Sequence, residues 1–220
     1  APEIMSRVQL FDVGALLARL HIDLAQLEYV PAFSIPNFHN TEFYATSLRS
    51  IRDRLDAKPM RQFADNCLRA IETMDVMPAI ERQLIHGDPR TTNIIFSNSR
   101  PISYIDFDTL MLGSPWIDIG DILRSINGTN DQTIETFSID NTLSLLRGYY
   151  SQNSFNMPFD QFLRSALTGM QIICIELAMR FTTDLVHDSY FGWDSDKFKS
   201  RYDNNKARAN SQWDIYKRCK

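Results

Sequence analysis

Two short apolar runs, Asn93 to Phe96 and Ile102 to Ile105, flank Asn98-Ser99-Arg100-Pro101 and read as a β-hairpin. Nearly everything around them carries the helical period instead. Val13, Leu16, Leu17 and Leu20 predict a helix over Ser6 to Leu27, followed by a loop from Pro31 to Phe38. Asn40 or Thr41 then caps a helix with Leu48, Ile51 and Leu55 on one stripe. A third helix spans Pro59 to Met74, with Met60, Phe63, Cys67 and Ile71 inward. Beyond the hairpin, helices are expected over Trp116 to Ile126, Ile139 to Tyr150, Phe159 to Leu185 and Trp193 to Lys217. The longest places Leu163, Leu167, Met170, Ile173 and Leu177 at three- and four-residue steps. The expected fold is α+β and predominantly helical: helical over 1–82, a loop and hairpin over 83–110, and helical again over 114–220. A chain of 220 residues without repeats or an evident linker can bury one substantial core.

A net charge of −4 gives no electrostatic reason to expect nucleic acid. The basic stretch Lys197 to Lys220 is interleaved with Asp, Asn and Ser and reads as a solvated helix face. Cys67, Cys174 and Cys219 show no metal spacing; an odd, dispersed set favours reduced thiols and a cytoplasmic location, with the first two in the core. No run approaches the ~18 uninterrupted apolar residues of a membrane span, so no membrane partner is expected. Glu3, Asp12 and Arg19 break the pattern of a secretory signal.

The chemistry concentrates around the hairpin. Asp88 lies five residues before Asn93, where one hairpin strand begins, and the other strand ends at Asp106. A carboxylate, then an amide, then a second carboxylate are the groups phosphoryl transfer uses: one receives the proton of the attacking hydroxyl, and the other two hold magnesium on the phosphates. Asp88 is therefore read as the general base, and Asn93 and Asp106 as hard oxygen ligands for Mg²⁺. Asp108 is either a supporting carboxylate or a substrate contact. Asp121 and Arg124 form a pair at three-residue helical spacing, with no chemistry assigned.

His86-Gly-Asp88-Pro-Arg90-Thr-Thr-Asn93, with Asp106 after the hairpin, resembles the signature of the protein-kinase-like small-molecule phosphotransferases, the aminoglycoside phosphotransferase and choline kinase type. The resemblance implies an ATP- and Mg²⁺-dependent enzyme acting on a small-molecule alcohol. It also implies that His86 packs behind the catalytic loop, that Asp118 holds the loop from the following helix, and that Arg90 stands where protein kinases carry a phosphate-contacting lysine. Kinases of this type add a β lobe with a glycine-rich loop and a strand lysine. Upstream of His86 this chain has only Gly14, in a helical pattern, and Lys58, in an expected interhelical turn. It is accordingly expected to be a C-terminal lobe without the nucleotide lobe, and inactive in isolation.

A closer likeness rests on Ile35-Pro-Asn-Phe-His39-Asn-Thr, Ile105 to Gly113, Asp118-Ile-Gly-Asp-Ile-Leu-Arg124, and Arg180-Phe-Thr-Thr-Asp184 followed by Tyr190-Phe191. These strings resemble the N-acetylhexosamine kinases, which implies phosphorylation of the anomeric hydroxyl of an amino sugar. The segment Gly87 to Thr92 departs from that family's more usual Asn-Asp-Thr-Lys. Tyr190 and Trp193 are candidates to stack on a sugar, or else close the helical core. Aminoglycoside, choline and homoserine kinases and a non-catalytic interaction module are the alternatives. Asp188, Asp194 and Asp196 leave room for a basic substrate, whereas choline would need an aromatic cage.

Overall fold

A computed structural model of the chain describes residues 5–75, 82–128, 137–152 and 155–220. Residues 1–4, 76–81, 129–136 and 153–154 of the expected helical spans lie outside the described residues. The described chain is mostly helical, with two small antiparallel sheets. In order, it forms α1 (Arg7–Ala25), α2 (Thr41–Ile51), α3 (Lys58–Glu72), β1 (Gln83–Ile85), β2 (Ile94–Ser97), β3 (Arg100–Tyr104) and β4 (Met111–Gly113). Then come α4 (Pro115–Asn127), α5 (Ile139–Tyr150), α6 (Phe159–His187) and α7 (Arg201–Arg218).

The termini of these elements follow local chemistry. Ser6 and Gln9 close a reciprocal capping box on α1, and Asn40 caps α2 by accepting from the Phe43 amide. Lys58 is the first residue of α3 and not part of a turn; Pro59 is tolerated in the first turn, where its missing N–H has no partner to lose. The hairpin turn is tighter than its composition suggested. Asn98 and Ser99 both take positive φ (48° and 64°), the geometry of a two-residue turn, so Arg100 and Pro101 already belong to β3. The β2–β3 register shifts between Ile95 and Phe96, which pair with Ser103 and Pro101, leaving Ile102 as the extra residue of a bulge. β4 pairs with β1, Gln83 opposite Gly113, and at three residues is too short to carry a readable period.

The core lies between the helices and the inner face of the hairpin, with Trp116, Tyr149 and Phe162 among its largest fully buried side chains. Cys67 and Cys174 are buried. α6 is long and apolar enough to cross a membrane by composition, but 67% of its apolar window is buried within the molecule, as the central helix of a helical domain must be. It meets α4 at a close approach: a Cβ on Gly120 would sit 2.4 Å from the Gly169 backbone, and one on Gly169 2.4 Å from the Trp116 carbonyl. Across this approach Asp121 on α4 and Glu176 and Arg180 on α6 line one cavity.

The last helix departs from expectation. Apolar spacing suggested a start at Trp193, but residues 188–200 form a loop, and α7 begins after Ser200, whose hydroxyl accepts from the Asp203 amide. The reason is Asp184, which captures the amides of Ser189, Tyr190 and Phe191. Lys206, Lys217 and Arg218 are exposed as a solvated face requires, but Arg208 turns toward a cavity.

Candidate active site

The segment leaving β1 is held from behind. Ser114 caps α4 and places Asp118 in its first turn, fully buried. Asp118 Oδ2 accepts from the His86 amide at 2.7 Å and Oδ1 from the Gly87 amide at 2.9 Å. His21 Nε2 lies 2.9 Å from Oδ2, and its Nδ1 lies 2.6 Å from the Tyr149 hydroxyl. The ionised carboxylate can only accept, so His21 Nε2 carries the proton of that contact. Burial alone would raise the Asp118 pKa, but hydrogen bonding and charge from His21, with the Gly87 amide, outweigh it and hold the group below the usual carboxylate range.

His86 lies behind the loop. Its Nε2 donates to the Ile105 carbonyl (3.0 Å), so Nδ1 is the acceptor for the Asp88 amide (3.3 Å). Gly87 has φ +85° and an added Cβ would fall 2.4 Å from the Thr109 carbonyl, so only glycine fits without strain. Its own carbonyl accepts from His39 Nε2 at 2.7 Å.

This support presents Asp88 at the edge of a cavity of about 650 Å³. Arg90 Nε lies 3.1 Å from Asp88 Oδ2. Asp121, one turn beyond Asp118, is 4% exposed and lines the same cavity; its Oδ1 accepts from Arg124 Nε at 2.8 Å. Burial first, and the neighbouring charge of Asp121 second, push Asp88 up to about 6 against the opposing pull of Arg90 and Arg124.

Asn93 ends the short turn Thr91–Asn93 and is buried. Its Nδ2 donates to the Asp88 carbonyl at 2.9 Å, leaving Oδ1 as the amide's acceptor. Its backbone carbonyl accepts from the Ile105 amide at 3.0 Å, which sets Asp106, at φ +69°, beside it on the neighbouring strand exit. Among the described residues no group of three or more His, Cys, Asp and Glu could hold a metal ion. An amide and a carboxylate oxygen nevertheless suit Mg²⁺, which binds few protein groups and completes its octahedron with phosphates and water. Asp106 and Asp108 are exposed, and neither lines the cavity.

The far wall comes from α6 and the loop after it. Arg180 lies 5.2–5.8 Å from the ring centroids of Phe38, Tyr44, Tyr190 and Phe191, and donates to the Tyr190 hydroxyl at 3.0 Å. Glu176, one turn earlier, accepts from Thr41 Oγ1 and His39 Nδ1. Burial disfavours charge on His39, but Glu176 more than compensates and its pKa is raised. Tyr190 and Trp193 both line the cavity; Tyr190 is 64% exposed, so it does not close the core. Asp184 fixes that wall: Oδ1 accepts from Ser189 and Tyr190, and Oδ2 from Phe191 and Asn205 Nδ2. These donors overcome the burial that would raise its pKa and lower it instead.

Asp121, Glu176, Arg180, Asp184 and Arg208 have no role that their sequence positions alone announce. One signal was available: Glu176, Arg180 and Asp184 interrupt an apolar helix at four-residue steps, and charges seldom sit on a buried face without a task.

The model of the phosphotransferase enzyme family matches residues 2–149, more than half of the chain. The chain belongs to that family. No curated protein sequence matches it. Among solved structures, a choline kinase from Cryptosporidium parvum Iowa II is similar at TM-score 0.64 and 10% identity, over 97% of this chain and 64% of that one. An aminoglycoside phosphotransferase from Alicyclobacillus acidocaldarius gives 0.61 and 14%, over 97% and 66%. An amicoumacin kinase in complex with AMP-PNP, Ca²⁺ and its antibiotic gives 0.55 and 14%, over 99% and 63%. The chain thus spans about two thirds of the length of these structures, and at such identity the likeness is one of fold, the protein-kinase-like fold of small-molecule kinases.

Proposed function

We propose that the protein transfers the terminal phosphoryl group of ATP to a small-molecule hydroxyl, and that its acceptor is the anomeric hydroxyl of an N-acetylhexosamine. The observation that carries this reading is Asp88: a half-buried carboxylate facing the cavity, raised to about 6, its carbonyl tied to Asn93. In this reading Asp88 accepts the proton as the acceptor oxygen bonds to phosphorus and the bond to the ADP oxygen breaks. Asn93 Oδ1 and Asp106 would hold Mg²⁺, which when bound offsets charge on the phosphates. Arg90, paired with Asp88 here, would contact the transferring phosphate, and His86 and Asp118 keep the loop in shape. Asp108, exposed and outside the cavity, is left a supporting role.

Substrate choice rests on the far wall. A choline site would need an aromatic cage for the substrate's cation. Here the four-ring cluster already surrounds Arg180, which supports a neutral acceptor stacked near Tyr190 and Trp193. Gly14 and Lys58 lie within helices, so the described residues offer no glycine-rich cradle for the nucleotide, and we assign this chain the acceptor and metal side of the reaction as a C-terminal lobe. The test is ADP release by the full-length protein, with its nucleotide lobe, over a panel of amino sugars, choline, homoserine and aminoglycosides. Turnover with N-acetylglucosamine or N-acetylgalactosamine and an acid-labile phosphate as product is expected. Turnover with choline alone would overturn the substrate, and none with any acceptor would favour an interaction module.

A further inference from the structure

Asp121 is a deeply buried cavity carboxylate whose hydrogen bonding is incomplete. Anchoring Arg124 uses only Oδ1; Oδ2 is buried, with no hydrogen-bond donor among the described residues. A carboxylate oxygen shielded from water without a donor is costly, and proteins keep few such groups. The nearby donors are engaged elsewhere. His39 gives Nδ1 to Glu176 and Nε2 to the Gly87 carbonyl, Arg90 lies on Asp88, and Arg180 donates to the Tyr190 hydroxyl. Asp88 is the neighbour that reaches it: protonated, it shares a hydrogen bond with the Asp121 carboxyl, whereas ionised as a base it has nothing to donate.

We propose that Asp121 Oδ2 receives a hydrogen bond from a second donor on the substrate, adjacent to the hydroxyl that Asp88 deprotonates. The site then selects neutral compounds with two neighbouring donors, a vicinal diol or a hydroxyl beside an amide N–H, over single alcohols. The inference rests on the reading of Asp88 as the base and makes Asp121 a specificity-determining residue. A cationic substrate is disfavoured by the lining: four carboxylates (Asp88, Asp121, Glu176, Asp194) meet four arginines (Arg90, Arg124, Arg180, Arg208) and His39, so the cavity holds no surplus of negative charge to draw an ammonium group.

The test is calorimetric binding to the chain itself, using wild type and Asp121→Asn with four probes: N-acetylglucosamine, glucose, 2-deoxyglucose and choline. A hydrogen bond to a charged group is worth roughly 10- to 100-fold in affinity. Wild type should bind glucose at least tenfold tighter than 2-deoxyglucose, which keeps the anomeric hydroxyl but lacks its neighbour. Asp121→Asn turns an acceptor into a donor at that point; it should collapse this ratio, weaken N-acetylglucosamine about tenfold or more, and leave 2-deoxyglucose within twofold. Equal loss across all probes, no loss, or wild-type binding of choline alone would overturn the proposal, as would the absence of binding by any probe. If N-acetylglucosamine fails but the glucose ratio collapses, the N-acetylhexosamine reading falls and the role of Asp121 stands. If N-acetylglucosamine binds and the variant leaves it unchanged, the reverse holds. Should Asp121→Asn not fold, the wild-type ratio decides alone: tenfold supports, parity overturns.

Discussion

Asp118 and Asp184 are buried more completely than Asp88, yet their pKa values fall while that of Asp88 rises to about 6. Depth in the fold does not separate them; donors do. Asp118 receives two backbone amides and His21, and Asp184 three backbone amides and Asn205. Asp88 has Arg90 on one oxygen and a second carboxylate nearby. The saturated carboxylates shape loops, one behind the catalytic segment and one under the aromatic wall. The unsaturated pair, Asp88 and Asp121, faces the cavity. In the proposed mechanism, amides given to Asp118 and withheld from Asp88 divide the acids into holders and reactants.

The widest gap between the two classes should appear on neutralising one of each. In the full-length protein, Asp88→Asn is expected to lower kcat by roughly 10²–10⁴-fold, the usual worth of a general base, with little change in nucleotide affinity. Its melting temperature should hold or rise, because an ionised carboxylate with a raised pKa destabilises the fold near neutrality. Asp118→Ala should do the opposite, leaving two buried amides and His21 without an acceptor, at about 1–3 kcal/mol each. Urea denaturation reads that loss directly. A variant pair that behaved alike in both assays would erase the distinction.

Asp184→Asn sharpens the comparison within the holders. It sets an NH₂ against donors it can no longer accept from, which should loosen residues 189–191, raise KM for the acceptor several-fold and leave kcat nearly unchanged, as expected when positioning of the bound substrate is lost. Tyr190→Ala removes a ring that is mostly exposed, so KM should rise while melting temperature barely moves; a large thermal loss would make the ring structural.

The contrast also sets the pH response. Asp118 and Asp184 have depressed pKa values, so the stability they contribute is present above the unfolded value of roughly 4 and is lost as pH falls through their folded values. Asp88 works the other way: its stability is full below roughly 4 and is lost as pH rises through about 6. Stability measured by thermal melts should therefore decline gently between pH 4 and 6 at this site, over the range in which phosphoryl transfer climbs.

The reactants were far more legible in the sequence than the holders. Asp88, Asn93 and Asp106 lie on one contiguous loop and hairpin, where chemistry demands particular residue types at fixed spacing. Helix positions followed from apolar period and capping, and Asn40 and Ser6 act as their types suggest. Asp121 and Arg124 were visible as a pair, but nothing in a three-residue spacing says that one carboxylate oxygen is left without a donor. Arg180 and Asp184 acquire their roles only when α6 packs beside the loop it precedes and the 35–44 segment crosses it, a tertiary event with no local signature. The same event overruled the apolar spacing around Trp193, whose expected helix yields to the amides Asp184 has captured.

The most direct measurement is a ¹³C carboxyl NMR titration of the chain, following Asp88, Asp118 and Asp184 in one sample. Asp88 is expected to titrate at about 6, with Asp118 and Asp184 below the ordinary carboxylate value of 3.8. Asp88 titrating at or below that ordinary value, or Asp118 and Asp184 rising above it, would contradict the division between holders and reactants.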